Sequence, residues 1–307
     1  MPGLWRGKGP GEVRAETGEG APHRLIDFEI PHADRALKMR AKNPTLAEQA
    51  DPYILYQQSV QCAEAEIDFV DSAFLALRGR HAQRLREDFC GTAQVACEWV
   101  RRRPRNTALA IDIDPKVLAW GRQHNLSRLR RETRAHVTLV NADVMKVRTD
   151  PMDAVLAMNF SYWFFKQRET LRCYFRRVRA ALDAEGLFFL DAYGGYDAFR
   201  IMRDRTRYDG YTYVWHQAAY NPITGEGRCH IDFKFDDGSV LKRAFSYDWR
   251  LWTLPEIREV LLEAGFSRAA VYWQGTDAET GEANGEFTPT DIGEPDAGWI
   301  AYLVAEK

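Results

Sequence analysis

A chain of 307 residues, 45% of them hydrophobic and 28% charged, is long enough for one large α/β core with a smaller appendage, and this composition excludes a disordered or membrane-embedded chain. Its 42 basic and 44 acidic residues nearly cancel to a net charge of −2, so no global field draws it to phosphate backbones or anionic lipid. No apolar run approaches the roughly 18 residues that cross a bilayer, and the opening segment lacks a signal-peptide core, so a cytoplasmic location without membrane or nucleic-acid partners is expected.

Residues 1–24, rich in Gly and Pro among scattered charges, are expected to form a disordered tail. Residues 25–80 carry apolar side chains at three- and four-residue steps, among them Tyr53, Tyr56, Val60 and Ala63, and are expected to form a helical N-terminal cap. From His81 short apolar runs alternate with amphipathic stretches, the pattern of β-α units around a parallel sheet. Strands are expected at 83–89, 107–112, 136–141, 153–158 and 186–191, with helical stripes such as Val117, Trp120, Gly121 and His124 between them. After Asp191 the period changes to two. Residues 211–219, 229–235 and 240–251 are expected strands, punctuated by Asn221-Pro222 and Asp237-Gly238, so 201–251 is an inserted antiparallel β meander. Thr253 and Glu256 form a capping-box signature that restarts helix, and strands at 268–274 and 299–305 close the sheet. Segment 276–298, with seven acidic and no basic residues, is expected to be a solvated loop. The fold class is therefore α/β, a doubly wound, mostly parallel, seven-stranded Rossmann-like sheet, with its main domain at 81–200 and 252–307.

The five cysteines are odd in number and show no C-x-x-C spacing, so neither a disulfide scaffold nor a metal site is expected. The densest signal is RLREDFCGTAQVACEWV, an apolar strand that passes through an acid-rich turn into a helix. Such a junction brings backbone N–H groups to the carboxyl edge of the sheet, where open α/β folds bind ligands. A dinucleotide site wants three glycines here, whereas only Gly91 is present and Phe89 and Ala93 stand at the other two positions. Glu87 and Asp88 would repel a diphosphate, so a phosphate-free ligand with a cationic end fits better.

Glu87, Cys90, Gly91 and Thr92 resemble the first motif of the class I S-adenosylmethionine-dependent methyltransferases. The resemblance continues in order through LAIDIDPKVLAWGRQ, VTLVNADVMKV and DAVLAMNFSYWFF to the closing strand, over roughly residues 80–307. It implies S-adenosylmethionine as cofactor, with Asp112 on the ribose hydroxyls beside Ile113, Asp143 and Val144 at the adenine, and Asn159 and Phe160 near the methionine end. Tyr56 of the cap is expected to cover the cofactor. Arg86 has two readings: an ion pair with Asp88, on the same strand face, or a salt link to the cofactor's carboxylate.

In enzymes similar to this one an insertion after the fifth strand roofs the acceptor pocket. The acceptor-side residues expected are Ser161, Tyr162, Trp163, Asp191, Tyr193, Trp215, Tyr220, Arg250 and Trp252, with His216 and Tyr193 as base candidates. The implied activity is in-line transfer of a methyl group to nitrogen or oxygen of a small-molecule acceptor. Two alternatives stay open: a catalytically inactive cofactor-binding scaffold or partner subunit, suggested by the missing glycines and the acidic segment, and a protein or nucleic-acid methyltransferase. An oligomer is possible, and the sequence does not reveal it.

Overall fold

A computed structural model describes residues 43–277 and 283–307. The tail at 1–24 and the first part of the expected cap, 25–42, lie outside the described residues. The cap continues as three helices, α1 (Leu46–Gln49), α2 (Pro52–Ser59) and α3 (Ala63–Arg78). Asp51 starts α2 by accepting the N–H groups of Tyr53 and Ile54, and Gly79 ends α3 in the left-handed region.

The main sheet then forms from β1 (Arg84–Asp88), β2 (Thr107–Asp112), β3 (Val137–Asn141), β4 (Met152–Ala157), β5 (Leu182–Gly194), β10 (Arg268–Thr276), β11 (Ala283–Thr290) and β12 (Trp299–Glu306). Their order is β11-β10-β12-β5-β4-β1-β2-β3, with β5 to β3 parallel and the remaining neighbours antiparallel. The order in which strands are added reverses beside β1, which pairs with both β2 and β4, so the topological switch point lies at the carboxyl ends of β1 and β4. Helices α4 (Gln94–Arg102), α5 (Pro115–His124), α6 (Arg131–Arg134), α7 (Arg168–Ala181) and α8 (Leu254–Glu263) complete the layers. The capping box at Thr253 and Glu256 is formed.

The sheet has eight strands, one more than expected. The additional strand, β11, comes from the acidic segment taken as a solvated loop: Thr288 and Phe287 pair with Trp273 and Gln274 of β10. Its sequence, ANGEFTPT, carries edge-strand features (a proline and an acid on mostly exposed positions) that hide its pairing from a hydrophobic pattern. The insertion is likewise one strand larger. β6 (Met202–Tyr208), β7 (Tyr211–Asn221), β8 (Glu226–Phe235) and β9 (Val240–Arg250) form an antiparallel sheet in sequence order. The inner side chains of this meander, Tyr213, Trp215, Ile231, Phe233 and Trp249, join one buried cluster with Tyr193 and Ile300 of the main sheet. Cap and meander are also tied by polar contacts. Ser59 Oγ and Tyr211 Oη lie 2.8 Å apart, and Asp237 accepts the N–H of Leu46 at 2.9 Å.

Candidate active site

The turn from Phe89 to Ala93 frames the site. Phe89, Gly91 and Ala93 have φ of 57°, 53° and 55°, so all three positions of a glycine-rich turn keep the left-handed form although two have lost the glycine. Each non-glycine residue in that region costs roughly 1–2 kcal/mol. Packing offsets the cost: the Phe89 ring meets Tyr174 and Phe165 at 5.7 and 6.0 Å, and Ala93 is fully buried. The turn is braced from α5, where a Cβ on Gly121 would stand 2.4 Å from the Thr92 carbonyl oxygen and where Asn125 Nδ2 donates to that oxygen at 2.9 Å. Gly121→Ala is therefore expected to lower stability by about 1–3 kcal/mol through this overlap, measured by urea denaturation.

Asp112, at the end of β2, accepts the Gly91 N–H at 2.8 Å and the Asp114 N–H at 2.9 Å, one on each carboxylate oxygen. Each oxygen retains a lone pair for a further donor. Ile113 beside it is 71% exposed. Past β3, Asp143 accepts the N–H of Met145 at 2.9 Å and lies 3.7 Å from Lys146 Nζ. Val144 is buried, and its carbonyl accepts from Arg86.

Beneath the turn, Arg86 donates to both oxygens of Asp88, at 2.7 and 3.1 Å, and Tyr174 Oη donates to the same carboxylate at 2.8 Å. The guanidinium is 1% exposed, so the ion pair is the arrangement present and Arg86 does not reach the surface of the site. Glu87 accepts the Ala96 N–H at 2.9 Å, and burial, reinforced by Glu66, holds its carboxyl well above the usual range. The Cys90 thiol is packed into the core at 1% exposure, which leaves the backbone of this residue to face a cofactor. Thr92 Oγ accepts from Gln57 Nε2 at 2.6 Å, joining the cap to the turn.

After β4, Asn159 and Phe160 both adopt positive φ, 58° and 57°. Their N–H groups donate to the two oxygens of Asp191 at 2.8 and 2.9 Å. Burial pushes the Asp191 carboxyl up to about 7. Asp191, Asn159, Phe160 and Tyr56 of the cap line a cavity closed on its far side by Tyr213, Trp215, Tyr247 and Trp249 of the meander. Tyr247 and Trp249 have ring centroids 4.3 Å apart, and Trp215 stands about 6 Å from each, at 5.9 and 6.2 Å. The Tyr56 hydroxyl is pushed up to about 12 by burial.

Several expected acceptor residues lie elsewhere. His216 follows Trp215 on β7 and so points to the opposite face of the meander, away from the cavity. There its ring meets His230 at 5.8 Å, and burial together with Arg203 lowers its basicity. Tyr162 and Trp252 are core residues at 0% and 1% exposure, donating to the carbonyls of Asp191 and Phe165. Arg250 stacks 3.7 Å over Trp252 and donates to Glu256 at 2.8 Å, outside the cavity. Ser161 Oγ donates to the Met158 carbonyl. Trp163, Tyr193 and Tyr220 line an adjoining cavity that shares Trp249. Burial raises the Tyr193 hydroxyl well above its usual value, which makes it a poor base at neutral pH. Among the described residues no cluster of metal-ligating side chains is present. Glu66 was missed: it stands in the buried stripe of α3 with Ala63, Ile67 and Val70, where an acid among apolar positions is the available signal.

Residues 88–190 match a family model described as a methyltransferase domain. No curated protein matches the chain. Similar solved structures include an S-adenosylmethionine-dependent methyltransferase from Clostridium acetobutylicum, 15% identical with TM-score 0.60 over 82% of this chain and 96% of that one. CalS10, an amino pentose methyltransferase from Micromonospora echinaspora, is 18% identical with TM-score 0.57 over 83% and 95%. KedS8, a sugar N-methyltransferase from a Streptoalloteichus species, is 17% identical with TM-score 0.56 over 93% and 99%.

Proposed function

We propose that the chain is a class I S-adenosylmethionine-dependent methyltransferase, a reading supported by its methyltransferase-domain match and by the fold of its structural neighbours, and that it methylates the nitrogen of a small-molecule amine seated against the meander. The observation that carries this is the cavity wall: the aromatic cluster of Trp215, Tyr247 and Trp249 with one carboxylate, Asp191, facing it. Ring faces attract an alkylammonium by about 0.5–2 kcal/mol each, more when the site is desolvated. A hydroxyl has no such affinity, which favours nitrogen over oxygen.

The cofactor fits the residues present. A turn flanked by Glu87 and Asp112 suits a ligand without phosphate and with positive charge. Asp112 receives the ribose hydroxyls and Ile113 covers the adenine, whose amine Asp143 accepts while Val144 packs beside it. Gly91 and Thr92 supply the close backbone approach, and Tyr56 covers the methionine end. The bound cofactor supplies a sulfonium methyl with a good leaving group. The chain's own task is to align the amine in line with that methyl and to exclude water. Asp191, with a carboxyl near neutrality, takes the ammonium proton and frees the nitrogen lone pair.

The amino pentose and sugar N-methyltransferases of the same fold support an amine on a small molecule as the target. A radiolabelled methyl-donor screen against amines, alcohols and phenols tests this. Transfer to amines is expected; transfer confined to hydroxyls would overturn the choice of nitrogen. His216→Ala is expected to change turnover on the acceptor so found by no more than about twofold, since its ring faces away from the cavity. A loss of two or more orders of magnitude would restore it as the base.

A further inference from the structure

We propose that Glu66 of α3 pairs with the ammonium group at the methionine end of the cofactor, which makes the cap helix part of the cofactor site. This rests on the methyltransferase reading above.

Glu66 is 3% exposed, and its Oε2 has no hydrogen-bond partner. Its surroundings are acidic or neutral. From the sheet it faces Glu87 of β1, Asp191 of β5 and Tyr302 of β12, and from the cap Tyr56 and the thiol of Cys62, with the Cys62 N–H as the one group that favours its charge. No arginine or lysine among the described residues pairs with it. A carboxyl desolvated in this way is costly without a partner. Packing alone would favour an apolar residue here, as at Ala63, Ile67, Val70 and Phe74 on the same stripe.

The two neighbouring carboxylates are already engaged: Glu87 accepts from Ala96, and Asp191 accepts from Asn159 and Phe160. Glu66 is the member of this trio with a fully buried oxygen that lacks a hydrogen-bond partner among the described residues. It is an electrostatic neighbour of Glu87 of β1, next to the turn, and of Asp191 of β5. A nucleoside whose ribose meets Asp112 extends its amino-acid arm into this space. A protonated amine matches the vacancy in charge, size and number of donors.

The test is a titration cycle on the full chain with S-adenosylhomocysteine, which carries the ammonium, and 5′-methylthioadenosine, which keeps the nucleoside and thioether but lacks the amino-acid end. Glu66→Gln is expected to weaken the first by about tenfold or more and the second by less than about twofold. Melting of the ligand-free E66Q chain is expected to be unchanged or higher, because the replaced oxygen has no partner to lose. Equal losses for both ligands, an unchanged affinity for S-adenosylhomocysteine, or a chain that no longer folds would each overturn the assignment. Unchanged cofactor affinity together with poorer amine turnover would move the partner of Glu66 to the acceptor and equally overturn it. Wild-type protein that bound neither ligand would instead remove the methyltransferase reading beneath it.

Discussion

Asp112→Ala is expected to weaken binding of S-adenosylhomocysteine by roughly 100- to 10,000-fold, because two proposed charge-assisted hydrogen bonds of about 1.5–3 kcal/mol each are lost together. The two proposed bonds to ribose are not the whole effect. The same carboxylate accepts the N–H of Gly91 and so fixes the middle of a turn that holds three residues in the left-handed region. Without that acceptor, Phe89 and Ala93 have less reason to keep a conformation that L-residues avoid. Calorimetry reads the affinity. Asp112→Asn separates the two parts, since its amide oxygen still accepts from one donor: an intermediate loss is expected, and affinity equal to wild type would argue against a ribose contact.

Asp191→Asn is expected to reduce turnover about 100-fold while changing cofactor affinity much less. The amide offers one oxygen where the carboxylate offers two, so one of the N–H groups of Asn159 and Phe160 faces another donor. The paired left-handed residues loosen, and the proton acceptor on the cavity wall is lost. In the wild type the folded Asp191 is raised from 3.8 to about 7 by burial, with the two N–H bonds opposing. A raised carboxyl favours the folded state at low pH: its contribution is fully present below about pH 4 and is lost as pH rises through 7, a change of roughly 4 kcal/mol. Activity follows the opposite course if the ionised form is the base proposed, and is then expected to rise through a midpoint near 7. D191N should lack that limb. A mutant with the wild-type pH profile would show that another group takes the proton.

The parallel core was legible because its strands are short apolar runs buried on both faces, as in Ala154–Ala157 and Leu187–Leu190. The meander's buried face showed in the alternation of Ile231, Phe233 and Phe235. Two strands escaped for a shared reason. β6, MRDRTRY, and β11, ANGEFTPT, are edges whose mostly exposed polar residues leave no hydrophobic period to detect. At the site, the acids that end β1 and β2, and Asp191 three residues before the end of β5, could be located from the strand pattern. Side-chain direction could not. His216 and Trp215 are adjacent in sequence and opposite in space, and the core positions of Tyr162 and Trp252 depend on packing against distant segments. The missing glycines misled in a more instructive way. They suggested an eroded, idle site, yet the backbone at Phe89 and Ala93 keeps the glycine form because aromatic and buried contacts hold it there. The acidic segment, the other motive for a scaffold role, contributes an ordinary edge strand at 283–290.

Three basic stretches, 101–105, 128–134 and 172–179, bear on a nucleic-acid substrate, and some of their arginines are paired within the protein. Arg102 pairs with Glu98 and Asp68, Arg103 with Asp71, and Arg172 with Glu169 and Glu263.

The most direct measurement is a crystal structure of the full chain grown with S-adenosylhomocysteine and, in parallel, with NAD. The account predicts the adenosine at the carboxyl ends of β1 to β3, its ribose on Asp112, and its thioether turned toward Tyr56, Asp191 and Trp215. Dinucleotide seated across Phe89 to Ala93, with the thioether nucleoside absent at saturating concentration, would contradict it.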